Sequence, residues 1–374
     1  FFANSQYASP EVPFTFFITL SLYLWLLYYR KGVYIALPFA FLASSLAMLV
    51  KGPAGFVIPA GVVFSYLLFT DPRELLKIRY YLLSLFALLM GLWWHIYQLF
   101  TKKRLFWEVF YKENLKRVYH GHEPIYFYLL DLNVSFLPYS FIFFIAFLWV
   151  VLKARKEFAL PLVWFAFVYG LFSLIAQKIP LYVLPAFPSL AIITAGFVMS
   201  NEWNRWKRYA SLFILSLITL AIFLGILLFY LPPYFLVLLP APFLIFYKDY
   251  RLSPAMAGVV FIVFLKVGLL PEIEKGRKIR ELGKFIKELD PKATLPTYEA
   301  GHFHHSLPFY TERKIIRDKE PQSGSLVVFR LGTFEGCQPI RTFSLYMGSE
   351  SRLFKFLMDA KRGRNFQEFG LCLY

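Results

Sequence analysis

Charge is scarce in this chain, and negative charge most of all. Only 17% of its 374 residues are charged, with 23 Asp and Glu against 40 Lys and Arg, whereas a soluble domain carries about 25%. Cysteine is scarcer still. Cys337 and Cys372 are the two it has, too few for the disulfide framework of a small secreted scaffold. There is no Gly-rich phosphate loop of the Walker type, no Gly-x-Ser-x-Gly elbow and no Cys-x-x-Cys pair, so the chemistries those motifs carry are excluded in their usual form. No basic n-region with a cleavage site opens the chain, which argues against a signal peptide. Phe1 begins a stretch that reads like the middle of a protein, and further residues are expected upstream of it.

What fills the space is apolar. Hydrophobic residues make up 58% of the chain and aromatic residues 21%, and the mean hydropathy is +0.54. Repeated apolar runs of about 18 residues or more belong to polytopic membrane proteins. About ten spans can be drawn, near 12–29, 33–50, 54–70, 80–100, 132–152, 158–176, 181–200, 209–231, 234–247 and 254–270. Only Pro232 and Pro233 divide the eighth from the ninth, which suggests a tight helical hairpin.

The basic residues orient these spans. Alternate short connections hold thirteen of them: Arg30/Lys31, Arg73/Lys77/Arg79, Lys153/Arg155/Lys156, Arg205/Lys207/Arg208 and Lys248/Arg251. The other short connections hold only Lys51 and Lys178. The positive-inside rule puts the first set in the cytoplasm and the N-terminal stretch, Lys51, residues 101–131, Lys178 and everything past 271 outside. Such a topology also absorbs much of the excess positive charge that would otherwise suggest nucleic acid. Segment 101–131 carries six Lys or Arg on the side that should be poor in them, a freedom long loops have. From Arg104 to Val118 its apolar residues alternate with charges as in an amphipathic helix lying in the interface, and Lys102, Lys103 and Lys112 read as a surface anchor.

Past Pro271 the composition changes, with 18 Lys and Arg and 13 Asp and Glu in 271–374. Ile279, Leu282, Phe285, Ile286 and Leu289 form a helical stripe, 325–331 reads as a buried strand and 351–360 as a second helix. The domains are therefore 1–270, helical and membrane-spanning, and 271–374, a small soluble α/β domain outside. If that domain is extracytoplasmic, Cys337 and Cys372 can pair; otherwise they are small apolar residues.

Few residues are left for chemistry. Asp71, Glu74, Glu157, Glu202 and Asp249 fall among the cytoplasmic basic residues as solvated charges, leaving Glu11, Glu108, Glu113, Glu123 and Asp131 outside. An outward-facing general base must come from this second group. Lys51, Arg117, Lys178 and Tyr182 sit at the outer ends of spans, where an anionic headgroup would be held by charge-assisted bonds. For Lys51 the alternative is helix capping ahead of Gly52 and Pro53. For Lys178, in "QKIPLYVLPAFPSLA", it is a loop lysine snorkelling to the headgroups. His120 and His122 in "YHGHEP" and the run "GHFHHS" fall short of metal sites. His95 reads as a helix contact and Lys266 as a snorkelling residue.

Several stretches occur in an order that resembles one family: "YASPEVPFTFFITLSLYLWL", "MLVKGPAGFVIP", "FYKENLKRVYHGHEPIYFYLLDLNVSFLPYS", "QKIPLYVLPAFPSLA" and, later, "SLPFYTERKI". The family is the lipid-linked-sugar glycosyltransferases of the GT-C superfamily, in particular those like the lipid A aminoarabinose transferase and bacterial protein mannosyltransferases. The resemblance implies a polytopic α-helical GT-C fold with a small C-terminal α/β extracytoplasmic domain. It also implies sugar transfer from a polyprenyl-phosphate donor to a lipid or protein acceptor at the outer face of the inner membrane, as in lipid A modification. By the same resemblance Arg117, Lys178 and Tyr182, with Lys51, hold the donor phosphate. Glu11 and Glu113 are the catalytic candidates, and Asn114, His122, Tyr126 and Tyr128 line the cavity. Glu11 stands where an Asp is usual, and Asn114 where some members carry a histidine. The family's first outer loop, with its catalytic acidic pair, would lie upstream of residue 1, so the ligands of any divalent metal ion would lie mostly there too. The expected partners are the lipid-linked donor, the acceptor and membrane lipids, with no nucleic acid, for a monomeric protein. Rival readings are a transporter, which shares broken helices and charges within the membrane, and a non-catalytic lipid-binding protein. Polar residues gathered at one face, spans without repeated halves and a following soluble domain favour the enzyme.

Overall fold

Backbone polar groups have no water to turn to in lipid, so long apolar runs close into helices. In the computed structural model the described residues are 10–111, 116–136, 139–229, 231–271, 278–301, 304, 306–317, 319–347, 359 and 363–374. Helices occupy the ten expected positions. They are α1 (Glu11–Lys31), α2 (Ala36–Lys51), α3 (Ala54–Thr70) and α4 (Ile78–Thr101), then, after a short α5 (Lys103–Phe110), α6 (Phe127–Ser135), α7 (Ser140–Trp149), α8 (Ala159–Ser173), α9 (Phe187–Met199), α10 (Asn204–Phe229), α11 (Ala241–Lys248) and α12 (Ser253–Val263). Among the described residues, Glu11–Lys31, Ile78–Thr101, Pro180–Met199 and Asn204–Phe229 are each long and apolar enough to cross a bilayer. Five shorter apolar helices accompany them.

Three expectations shift. The span drawn at 132–152 is two helices, α6 ending at Ser135 and α7 starting at Ser140 and running on as a π-helix to Ala154. The interfacial helix is shorter than Arg104–Val118, since α5 stops at Phe110 and one further turn covers Lys116–Tyr119. Beyond Pro232, a 3₁₀ turn at Pro233–Leu238 precedes α11, so the connection is longer than a two-proline hairpin. The helix expected at 351–360 lies almost wholly outside the described residues.

The chain divides into two compact units, residues 1–222 with 237–262, and residues 223–236 with 263–374. In the first, Gly32 takes a left-handed φ of 66° and its N–H bonds back to Tyr28. A side chain rarely tolerates that conformation, and it lets α2 return along α1. Phe14, Ile18, Leu22 and Trp25 fill the resulting core. At the end carrying the basic loops, Glu74 is buried under Tyr28, Tyr80, Lys77 and Arg79. Burial pushes its carboxyl up, but the bonds and charges of Lys77, Tyr28 and Arg79 outweigh burial and hold it below the usual range. Sequence alone reads Glu74 as a plain solvated charge; instead it ties a connection to α1.

In the second unit, five strands form a mixed sheet in the order β2-β1-β3-β5-β4. They are β1 (Thr297–Ala300), β2 (Ile315–Ile316), β3 (Leu326–Arg330), β4 (Arg341–Tyr346) and β5 (Phe366–Leu373). β1 pairs in parallel with β2 and β3, and β5 antiparallel with β3 and β4. The stripe on α13 (Ile279–Leu289) buries Ile279, Leu282 and Ile286 against Leu326, Val328, Phe343, Leu345, Phe369 and Leu371. Cys337 and Cys372 are joined in a disulfide, a pairing that the sequence left open. Leu269 packs with Tyr346, with Phe229, Leu265, Leu270 and Phe366 around them.

Asp290 ends α13 and holds the next turn. Its carboxylate accepts from the Thr294 and Leu295 N–H groups and the Thr294 hydroxyl, and pairs with Arg313 at 2.8 Å. Burial alone would raise its pKa, but these bonds lower it from 3.8 to about 2. A carboxyl with a depressed folded-state pKa contributes stability above its unfolded value and loses it as pH falls through the folded one. The unit should therefore weaken as pH drops from about 4 to about 2. Hydrogen exchange of strands β1 and β3, corrected for intrinsic rates, should accelerate across that window in the native chain. In Asp290→Asn it should already be fast at neutral pH, and identical profiles for both proteins would refute the assignment.

Candidate functional site at the helix ends

Sharp turns bring the polar residues together. α2 stops at Lys51 because Gly52 takes φ 77°, and its N–H bonds back to the Met48 carbonyl at 2.7 Å. Gly55 allows the next helix to lie directly against α2, since a Cβ there would stand 2.3 Å from the Ala47 carbonyl carbon. Lys51 is thereby left at the mouth of the bundle, and its Nζ pairs with Glu11 Oε1, on the first turn of α1, at 2.9 Å. The pair is only 25% and 13% exposed. The same ammonium stands 4.8 Å from the Tyr182 ring centre and 5.6 Å from that of Phe14, within reach for cation–π attraction.

Tyr182 lies on a 3₁₀ turn, Pro180–Ala186. Its hydroxyl accepts a hydrogen bond from the Arg117 guanidinium. One phenol thus links two cations, Arg117 at its edge and Lys51 over its face, with Glu11 behind Lys51. Beside Arg117 opens a cavity of about 730 Å³, lined among others by Lys116, Arg117, His120, His122, Glu123 and Gln177. Its floor is tight. A Cβ at Gly121 would stand 2.2 Å from the Ala176 carbonyl oxygen, so only glycine lets the two segments touch there.

The remaining candidates are placed as follows. Lys178 is buried, 7% exposed, and its Nζ donates to the Ile175 and Glu123 carbonyls at 2.8 and 3.3 Å. His122 is on the cavity wall, and Tyr126 is exposed at the start of α6. Tyr128 is fully buried, its hydroxyl 3.2 Å from both the N and the O of Ile179. Glu113 and Asn114 lie outside the described residues. Sequence reasoning missed Lys116 and Gln177 on the wall and the pairing of Lys51 with Glu11. The pairing had a signal, because opposite charges at the same end of two adjacent antiparallel spans have little else to pair with. Among the described residues no three His, Cys, Asp or Glu stand together as metal ligands, and Glu11 is engaged by Lys51; these residues do not fit a metal centre by themselves, and no step is derived through one.

Arg117 and Lys51 gathered on one phenol, with Arg117 also on the cavity wall, suit a phosphate. Comparison with known proteins agrees. Residues 1–110 match the model of the family described as dolichyl-phosphate-mannose-protein mannosyltransferase. An uncharacterized protein of Aquifex aeolicus (strain VF5) is 49% identical over the whole chain, which spans 75% of that relative. The structure of ArnT from Cupriavidus metallidurans bound to undecaprenyl phosphate superposes with a TM-score of 0.69 at 16% identity, covering 87% of this chain and 70% of that one. Its apo state gives 0.66 at 17% identity over the same shares. The chain shares a family with that Aquifex protein, and its fold is that of ArnT.

The nine apolar helices among the described residues make the chain a multi-pass membrane protein, with a small sheet domain at the C-terminal end. At 16–17% identity the ArnT likeness reports the fold. The order of the motifs, from the acidic residue opening the first helix to the Lys-x-Pro-x-Tyr segment, follows that of the fold's elements. Glu11, Lys51, Arg117 and Tyr182 come from four separate stretches, and the helix ends alone bring them together.

Proposed function

We propose that this protein is a GT-C glycosyltransferase that moves a sugar from a polyprenyl-phosphate donor to a lipid or protein acceptor at the outer face of the inner membrane. The observation that carries the reading is the grip on Tyr182, with Arg117 at its hydroxyl and Lys51 4.8 Å over its ring. A superposing ArnT structure holds undecaprenyl phosphate, which supports a lipid-linked phosphate for such a pocket.

In the transfer, an acceptor oxygen bonds to the anomeric carbon as that carbon's bond to the phosphate oxygen breaks. The acceptor proton passes to a base, and polyprenyl phosphate leaves with the bonding electrons. Charge grows on the phosphate as the bond breaks, so cations preset around it act on the transition state more than on the ground state. Arg117 and the Tyr182 hydroxyl supply directional donors, and Lys51 a compact charge held in place by Glu11. Glu11 serves Lys51 in this arrangement.

The outward orientation rests on the thirteen cationic residues of the alternate loops and on the Cys337–Cys372 disulfide, a bond typical of oxidising compartments. In whole cells a membrane-impermeant maleimide should label a cysteine placed at Glu123 and not one placed at Arg155, the native cysteines being paired. The reverse pattern would overturn the orientation. The activity itself is tested with the purified chain in nanodiscs containing a radiolabelled polyprenyl-phosphate sugar and an outer-membrane-type glycolipid or a protein extract. Label should move to an acceptor fraction in the presence of native protein, and its retention on the donor in every mixture would refute the proposal.

A further inference from the structure

Two residues with the look of site residues have their polar atoms spent on backbone. Lys178 Nζ donates to the carbonyls of Ile175 and Glu123, and the Tyr128 hydroxyl meets both polar groups of Ile179. We propose that Tyr128 and Lys178 are positioning residues, which fasten the 175–182 turn onto the 117–128 segment and so preset Arg117 and Tyr182 for the donor phosphate. This rests on the phosphate-site reading above.

The chain chemistry of the turn explains the need. Pro180 has no N–H and restricts the residue before it to extended geometry, and Ile179 accordingly sits at φ −127°, ψ 129°. In an extended residue the N–H and C=O point to the same side, ready for a neighbouring strand. No strand is there. The Tyr128 hydroxyl takes that place, accepting from the Ile179 N–H and donating to the Ile179 carbonyl, each at 3.2 Å. Its ring is fully buried against Phe127 and Tyr169, so it stands behind the turn and does not reach the cavity. One residue upstream, Lys178 closes the C-terminal side of α8 by capturing Ile175, and ties it to Glu123 on the opposite segment. The Ala176 and Gln177 N–H groups complete the seam on the carbonyls of Val118 and Arg117, at 3.1 and 3.0 Å. Arg117 therefore has its backbone pinned by Gln177 while its side chain reaches Tyr182, three residues past the Tyr128 clamp. Residues 51 to 65 apart in sequence behave as one unit.

A seam of this kind acts through the population of the binding-competent arrangement. Loosening it multiplies donor affinity by the fraction that stays competent and leaves the chemistry of the bound complex intact, whereas removing a group that touches the phosphate lowers the catalytic step. Tyr128→Phe keeps the ring and removes the hydroxyl; Lys178→Met keeps the stem and removes the charge. For each, the apparent KM for the polyprenyl-phosphate sugar should rise about tenfold, the order of effect of one or two lost hydrogen bonds, with kcat within about twofold of native.

The decisive measurement is a double-mutant cycle on binding of undecaprenyl phosphate to the full chain in nanodiscs, together with hydrogen exchange across 176–182. If Tyr128 acts through Tyr182, the Tyr128→Phe/Tyr182→Phe protein binds about as weakly as the weaker single variant, and exchange at Ile179 quickens in Tyr128→Phe and Lys178→Met. Additive losses, unchanged exchange, or a fall in kcat at constant KM for Lys178→Met would overturn the proposal, the last by placing Lys178 on the phosphate. Should native protein neither bind the lipid phosphate nor transfer sugar, the proposed function fails; the exchange measurement still decides whether the seam holds the turn.

Discussion

Arg117→Ala is expected to lower sugar transfer by a factor of about one hundred to one thousand, the scale on which single preorganised donors act on developing charge. Arg117 lines the cavity and also donates to the Tyr182 hydroxyl, so its removal takes a cation from the wall and a hydrogen bond from the phenol together. Tyr182→Phe should cost less, about tenfold, because the ring that faces Lys51 remains. The loss in Arg117→Ala should fall on kcat and kcat/KM alike, with donor binding less affected. Thermal unfolding and elution in detergent should stay native, since the guanidinium is at the edge of the fold. Steady-state transfer against donor concentration separates these effects. Native rates in both variants would remove the phosphate site from these residues.

Lys51→Met is expected to be damaging in a different way. Glu11 is only 13% exposed, and a carboxylate at that depth without its ammonium is poorly solvated. A fully buried pair broken on one side costs about 3–5 kcal/mol; with this pair partly exposed, about 1–3 kcal/mol is the reasonable scale. The variant should unfold several degrees earlier and lose most transfer. Adding Glu11→Gln should recover the thermal stability, because the stranded charge is gone, but not the activity, because the phosphate still lacks its cation. Recovery of both would make the pair a structural feature with no part in transfer. Stability unaffected by the single change would instead show that Glu11 does not need Lys51.

The membrane architecture was legible because its physics is one-dimensional. Span length follows from bilayer thickness, and orientation from the side that collects Lys and Arg. The same reasoning took Lys51, Arg117 and Tyr182 to one set of helix ends, and the structure has them in one cluster. The α13 stripe was readable from its 3.6-residue period, and β3 as a short buried apolar run. Elsewhere the pattern was ambiguous in principle. A lysine beside a helix end looks the same whether it meets a headgroup, a phosphate or a carbonyl, and Lys178 meets two carbonyls. Glu74 looked solvated because sequence neighbours show its basic company but not the tyrosines that cover it. The break between α6 and α7 had a signal in Pro138, inside the span drawn at 132–152.

By itself, then, the order of residues determined a multi-pass helical chain, a following α/β domain and which ends of which helices carry charge. All of these depend on hydrophobicity, charge and local backbone preference, which act over a few turns. The tertiary structure alone decided that Glu11 serves Lys51, that Cys337 meets Cys372, and that one buried phenol at Tyr128 stands in for a missing strand beside Ile179. Those contacts join residues 35 to 51 positions apart. No local rule carries over that distance, because which distant group satisfies a buried donor depends on how the helices pack.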